Sequence, residues 1–212
     1  QAILARDTPG HLADRLHAQW PVALIDEFQD TDARQWAIFD ALHRDRDGAV
    51  RGLLLLIGDP KQAIYGFRGS DIATYLRAAA TTTQRLTLAV NQRASTGLVA
   101  ATNALYGARR DAFAMDGAAI RYPPVQAAGR ADAAPLVRMD DAPWAPLQLH
   151  AATADAFGLC AALIADYLAP DRWRIGDRAL AAGDIAVLLP RHADIEALRE
   201  VLQRHDIPCV SG

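Results

Sequence analysis

Two adjacent carboxylates, Asp26 and Glu27, follow the apolar run Val22-Ala23-Leu24-Ile25 and precede Phe28-Gln29-Asp30. In open α/β sheets ligands collect beyond the carboxyl ends of strands. An acid pair there suits a magnesium nucleotide. One carboxylate holds the hydrated ion, and the next orients or deprotonates a water. The same pair also reads as a solvated turn after a buried strand. A second apolar run, 53–57, leads into GDPKQAIYGFRGSD at 58–71. Gln62 is a neutral amide able to hydrogen-bond a terminal phosphate. Tyr65 and Phe67 have flat faces on which bases stack, and Arg68 suits a phosphate or a carboxylate partner. Core aromatics beside a Gly-rich loop would explain Ile64 and Tyr65, but less easily Phe67 between Gly66 and Arg68. A third run, 86–90, ends in Asn91-Gln92-Arg93 ahead of Ser95 and Thr96, either of which can cap a helix. Arg93 can meet charge developing on a phosphate or serve as a surface arginine near a cap.

Elements of alternating type must carry these groups. Apolar spacing predicts helices over 9–20, 31–43, 71–80 and 96–106, with buried strands at 22–25, 53–57 and 86–90. That alternation implies a parallel α/β sheet. Prolines at 123, 124, 135, 143 and 146 mark residues 110–146 as an irregular connector. Beyond it, a helix is expected at 153–168, a buried strand at 184–189, a helix at 193–205 and the start of a strand at 208–210. The expected organisation is therefore 1–109, a connector at 110–146, and 147–212 opening a second α/β domain.

Bulk properties narrow the class. The 212 residues are 51% hydrophobic and 22% charged, ordinary for a globular chain. No apolar run approaches the roughly 20 residues of a membrane span. A net charge of −3 argues against coating nucleic acid by bulk charge, but leaves room for a local basic track. Cys160 and Cys209 stand far apart, which disfavours a disulfide framework or zinc site and implies a reducing, cytoplasmic setting.

Three strands delivering such groups to one sheet edge resemble the RecB-type branch, exodeoxyribonuclease V beta subunits, of the UvrD-like superfamily 1 DNA helicases. The resemblance rests on LIDEFQDTD at 24–32, LIGDPKQAIYGFRGSDI at 56–72 and the Asn91-Gln92-Arg93 corner. GDIAVLLP at 183–190 and His205-Asp206-Ile207-Pro208 resemble the opening of the family's second motor domain. The resemblance implies a partial RecA-like parallel sheet with flanking helices, ATP and Mg²⁺ as cofactors, and single- or double-stranded DNA as substrate. It also implies partnership with the other subunits of an exodeoxyribonuclease V complex. Asp26 would hold Mg²⁺, and Glu27 would activate water. Gln62 and Arg93 would contact the γ-phosphate. Phe67, supported by Tyr65 and Arg68, would stack on single-stranded DNA. The corner departs from the family's Asn-aromatic-Arg-Ser, since Gln92 and Ala94 replace the aromatic and the serine.

A P-loop ATPase needs a lysine after a Gly-rich loop. Lys61, preceded by Pro60, is the only lysine. The chain is therefore expected to be a piece of a longer motor subunit, inactive alone, and either to dimerise or to expose an apolar patch. Two other classes are a non-catalytic module that binds single-stranded DNA, and a metal-dependent hydrolase using Asp26, Glu27, Asp30 and Asp32. Asp30 and Asp32 read better as helix-start groups.

Overall fold

A computed structural model describes residues 11–45, 47–64, 71–109, 112–115, 118–140, 142–151 and 154–210. In chain order the elements begin with α1 (His11–Gln19), β1 (Val22–Ile25), α2 (Ala33–His43), β2 (Leu53–Leu56), α3 (Ile72–Ala80), β3 (Val90–Asn91) and α4 (Thr96–Gly107). They continue with β4 (Phe113–Met115), β5 (Ala118–Ile120), β6 (Gln126–Ala127), β7 (Leu136–Arg138), α5 (Ala156–Leu168), β8 (Trp173–Ile175), β9 (Arg178–Ala179) and α6 (His192–Arg204). The protein is α/β, with small parallel and antiparallel sheets between helices. It forms two compact units, Gln1–Thr87 with Phe113–Arg121, and Leu88–Ala112 with Tyr122–Gly212.

In the first unit β1 and β2 pair in parallel, Val22 opposite Leu53 through Ile25 opposite Leu56. Parallel neighbours need a crossover, and α2 supplies it. Asp32 starts α2 with a capping box. Its Oδ1 accepts Arg34 N–H at 2.7 Å and Gln35 N–H at 2.8 Å, while Gln35 Oε1 accepts Asp32 N–H at 3.1 Å. Asp71 caps α3 with its side chain alone, accepting Ala73 N–H at 2.9 Å. The expected burial of the strands holds for one face only. Ala23, Ile25, Leu54 and Leu56 are half-buried, whereas Val22, Leu24, Leu53 and Leu55 are exposed. Gly52 turns the chain into β2 at φ +69°, where a Cβ would meet Pro21 O at 2.1 Å.

In the second unit β3 pairs in parallel with β6, and β7, β8 and β9 form an antiparallel sheet. Helices α5 and α6 close a core of Ala161, Ile164, Leu198, Leu202 and Ile207.

Several sequence expectations are corrected. The strand expected over 86–90 is reduced to Val90–Asn91, with Leu86 88% and Leu88 91% exposed. No strand is present at 184–189 or 208–210; a 3₁₀ turn, Ala182–Asp184, begins the first stretch, and Leu188 is 94% exposed. The physical reason is shared: an extended segment forms a ladder only where a neighbour offers an edge, and among the described residues only β6 offers one, to Val90 and Asn91. Conversely, the stretch read as irregular contains β4 to β7, because pairing over two or three residues leaves no hydrophobic period to detect.

The first unit also contains a histidine pair. His43 in α2 is buried, and its ring lies edge-on to His17 of α1 with centroids 5.3 Å apart. Both Nδ1 atoms are buried without a hydrogen-bond partner among the described residues. Burial holds the His43 pKa below the ordinary imidazole value, and the His17 and Arg51 charges act the same way against a raising backbone hydrogen bond to Arg51. With its folded pKa depressed, His43 binds the proton more readily in the unfolded chain. Its contribution is therefore complete above about pH 6.5 and lost as the pH falls below that. Urea unfolding followed at pH 7.5 and 5.5 should show a lower midpoint at pH 5.5, and His43→Phe should flatten that difference.

Candidate active site

The tips of β1 and β2 are locked side by side beyond the strands themselves. Ile57 N–H donates to Ile25 O at 2.8 Å, and Phe28 N–H donates back to Ile57 O at 2.8 Å. The turn after β1 thus lies against the turn after β2. Phe28, 1% exposed, pins it from below by packing against Trp36 of α2 and Tyr75 of α3, with centroids 5.5 and 5.9 Å away. With Phe28 inward, Asp26 and Glu27 face solvent.

Glu27 adopts φ 48°, ψ 43°. A non-glycine residue in this left-handed region carries strain of order 1–3 kcal/mol, held by its surroundings. Two bonds hold it here. Glu27 N–H donates to Asp26 Oδ1 at 2.9 Å, and Gln29 Nε2 donates to Glu27 Oε2 at 2.7 Å. Gln29 is 2% exposed, and its Oε1 accepts Asp59 N–H at 3.0 Å from the tip of β2. No motif in the sequence marks Gln29 as functional. Its only signal was a long neutral amide set among acids.

Asp59 organises the second turn. Oδ1 accepts Lys61 N–H at 3.0 Å and Lys61 Nζ at 2.6 Å, and Oδ2 accepts Gln62 Nε2 at 3.2 Å. Burial alone would push this carboxyl up. The bonds from Lys61 and Gln62 and the Lys61 charge outweigh it and hold the pKa below the ordinary carboxylate range. One continuous path therefore runs from Glu27 through Gln29 and Asp59 to Gln62, whose side chain is exposed.

Asp26, Glu27 and Gln62 are thus linked by one run of hydrogen bonds across the two strand tips. Tyr65, Phe67 and Arg68 lie outside the described residues. Arg93 belongs to the second unit, where Asn91 Oδ1 accepts the N–H groups of Arg93 and Ala94, both at 2.9 Å, and turns the chain into α4. Ser95 caps that helix through Leu98 N–H at 3.3 Å, and the Arg93 side chain is exposed. Asp32 is spent on its capping box, and Asp30 Oδ1 is buried without a partner among the described residues.

The donor set fits a magnesium nucleotide. Mg²⁺ keeps several waters and takes one or two carboxylates plus phosphate oxygens. Asp26 Oδ1 is engaged by Glu27 N–H, while Oδ2 has no protein donor among the described residues and opens to solvent.

Residues 2–83 match the UvrD/REP helicase N-terminal domain. The chain is 36% identical to the RecBCD enzyme subunit RecB of Mycobacterium tuberculosis over 99% of its length, and 37% identical to that of Escherichia coli over 94%. The chain belongs to the RecB-type UvrD-like helicases. A match to the same subunit of Mycolicibacterium smegmatis reaches 49% identity over 46% of the chain. The chain spans 19% of the Mycobacterium tuberculosis relative and 18% of the Escherichia coli one.

In this RecB-type chain Gly58 leaves the space that the two turns share. A Cβ there would lie 2.5 Å from Gln29 Oε1, 3.0 Å from Phe28 N and 3.1 Å from Gln29 N. Backbone cannot yield as a flexible side chain can. Gly58→Ala should therefore destabilise the first unit by about 2 kcal/mol, seen as a lower midpoint in denaturant unfolding.

Proposed function

We propose that this chain carries the carboxylate and phosphate-sensing part of an ATP-driven DNA motor acting in double-strand break repair. In this reading it works within a helicase–nuclease subunit of an exodeoxyribonuclease V type complex, on single- and double-stranded DNA, in the cytoplasm. The observation that carries the reading is the pair of parallel strand tips that presents Asp26, Glu27 and Gln62 together. The RecB-type relatives support it. No described helix is long and apolar enough to cross a membrane.

Mg²⁺–ATP, when bound, supplies the γ-phosphoryl group whose transfer to water releases the energy. Asp26 would hold the ion. Glu27 orients the attacking water and accepts its proton. Gln62 donates to the γ-phosphate, and Arg93 offsets negative charge developing there. Phe67, with Tyr65 and Arg68, stacks on single-stranded bases and ties DNA to the Gln62 segment. In this reading residues 1–109 complete a first motor domain, 110–146 connect, and 147–212 begin a second.

Lys61 is bound to Asp59, and no other lysine is present. In this reading the phosphate-binding loop is supplied by another part of the subunit, and residues 1–212 alone should not hydrolyse ATP. DNA-stimulated hydrolysis by them that Glu27→Gln abolishes would overturn this. In the full-length polypeptide, Glu27→Gln should lower the ATPase kcat roughly 10²-fold or more, with the KM for ATP little changed; an unaltered kcat would sink the assignment.

DNA contact is tested separately. Phe67→Ala should weaken binding of a fluorescent single-stranded oligonucleotide by about 1–3 kcal/mol. Arg68→Ala should reduce the dependence of that binding on salt.

A further inference from the structure

Gln29 is a buried polar group that the proposed mechanism does not use. Both ends of its amide are committed, Nε2 to the Glu27 carboxylate and Oε1 to the Asp59 N–H. Only one orientation of the amide serves. Flipped, its oxygen would face the carboxylate and its NH₂ would face a backbone N–H. A side chain that merely filled space would need neither polar end, and Gly58 lacks a Cβ at the point where one would crowd Oε1.

We infer that Gln29 is a positioning residue: it aims the Glu27 carboxylate at the attacking water and ties that aim to the Gln62 turn. This inference rests on the ATP-hydrolysis reading above. Glu27 occupies a strained backbone region, and the bond from Gln29 fixes which way its side chain leaves that region. Asp59 receives Gln62 through its carboxylate and gives its own N–H to Gln29. A movement of Gln62 on meeting a phosphate is thereby passed to the water-activating acid through two residues.

The test uses the full-length polypeptide and three variants: Glu27→Gln, Gln29→Glu and Gln29→Leu. Steady-state ATP hydrolysis gives kcat and KM, and hydrogen exchange follows the Asp59 amide. Gln29→Glu keeps the shape of the side chain and an acceptor for the Asp59 N–H, but replaces the donor facing Glu27 with a like charge. It should lower kcat about 10- to 100-fold, leave the KM for ATP within about twofold, and keep the Asp59 amide protected. Gln29→Leu should lower kcat at least as much and also speed exchange at Asp59. A parent-like kcat in Gln29→Glu, with Glu27→Gln inactive, would overturn the positioning role and leave the hydrolysis reading standing. An active Glu27→Gln would overturn the reading on which the role rests.

Discussion

Parallel pairing of two four-residue strands is the constraint on which the site depends. The pairing is extended past both strands by the reciprocal bonds among Ile25, Ile57 and Phe28. Without that extension the turns after β1 and β2 would be independent loops. With it they form one surface, because a backbone amide on one tip finds its acceptor on the other. Phe28 then anchors the surface to α2 and α3 by burial, and the polar residues on either side of it must face away from the core or find partners within it. Asp26 and Glu27 take the first course and Gln29 the second.

The electrostatics follow from the same arrangement. Three carboxylates, Asp26, Glu27 and Asp59, sit close to two strand ends. Each is handled differently. Asp59 is neutralised by the Lys61 ammonium and its carboxylate accepts two further bonds, from the Lys61 N–H and the Gln62 side chain, so it acts as structure. The Glu27 carboxylate accepts from the neutral Gln29 amide, while its backbone N–H donates to Asp26, which orients it without cancelling its charge. Asp26 keeps one oxygen without a donor among the described residues. The proposed chemistry would use this division, since a lysine placed on Glu27 would lower the basicity that activating a water requires.

The second unit shows the other consequence of needing partners. Its core is closed where α5 meets α6, yet Leu188 and Val210 are left exposed at the edge of that core. Leu86 and Leu88 are exposed as well. Apolar composition favours burial in a sheet, but a strand exists only when another strand accepts its hydrogen bonds.

What the sequence determined by itself was therefore the local part. The apolar runs located β1 and β2, Asp32 and Ser95 marked helix starts, and the acid pair and the Gly-Asp-Pro turn marked the two strand tips, because propensity, capping and motif spacing are properties of neighbouring residues. The register of β1 on β2, the failure of 86–89 and 184–189 to become strands, and the double engagement of Gln29 were decided only by the tertiary structure. Each depends on which distant backbone group lies opposite. Gln29 is the clearest case. In the sequence it is a polar residue between Phe28 and Asp30, and only the folded chain brings Asp59, thirty residues away, against its oxygen.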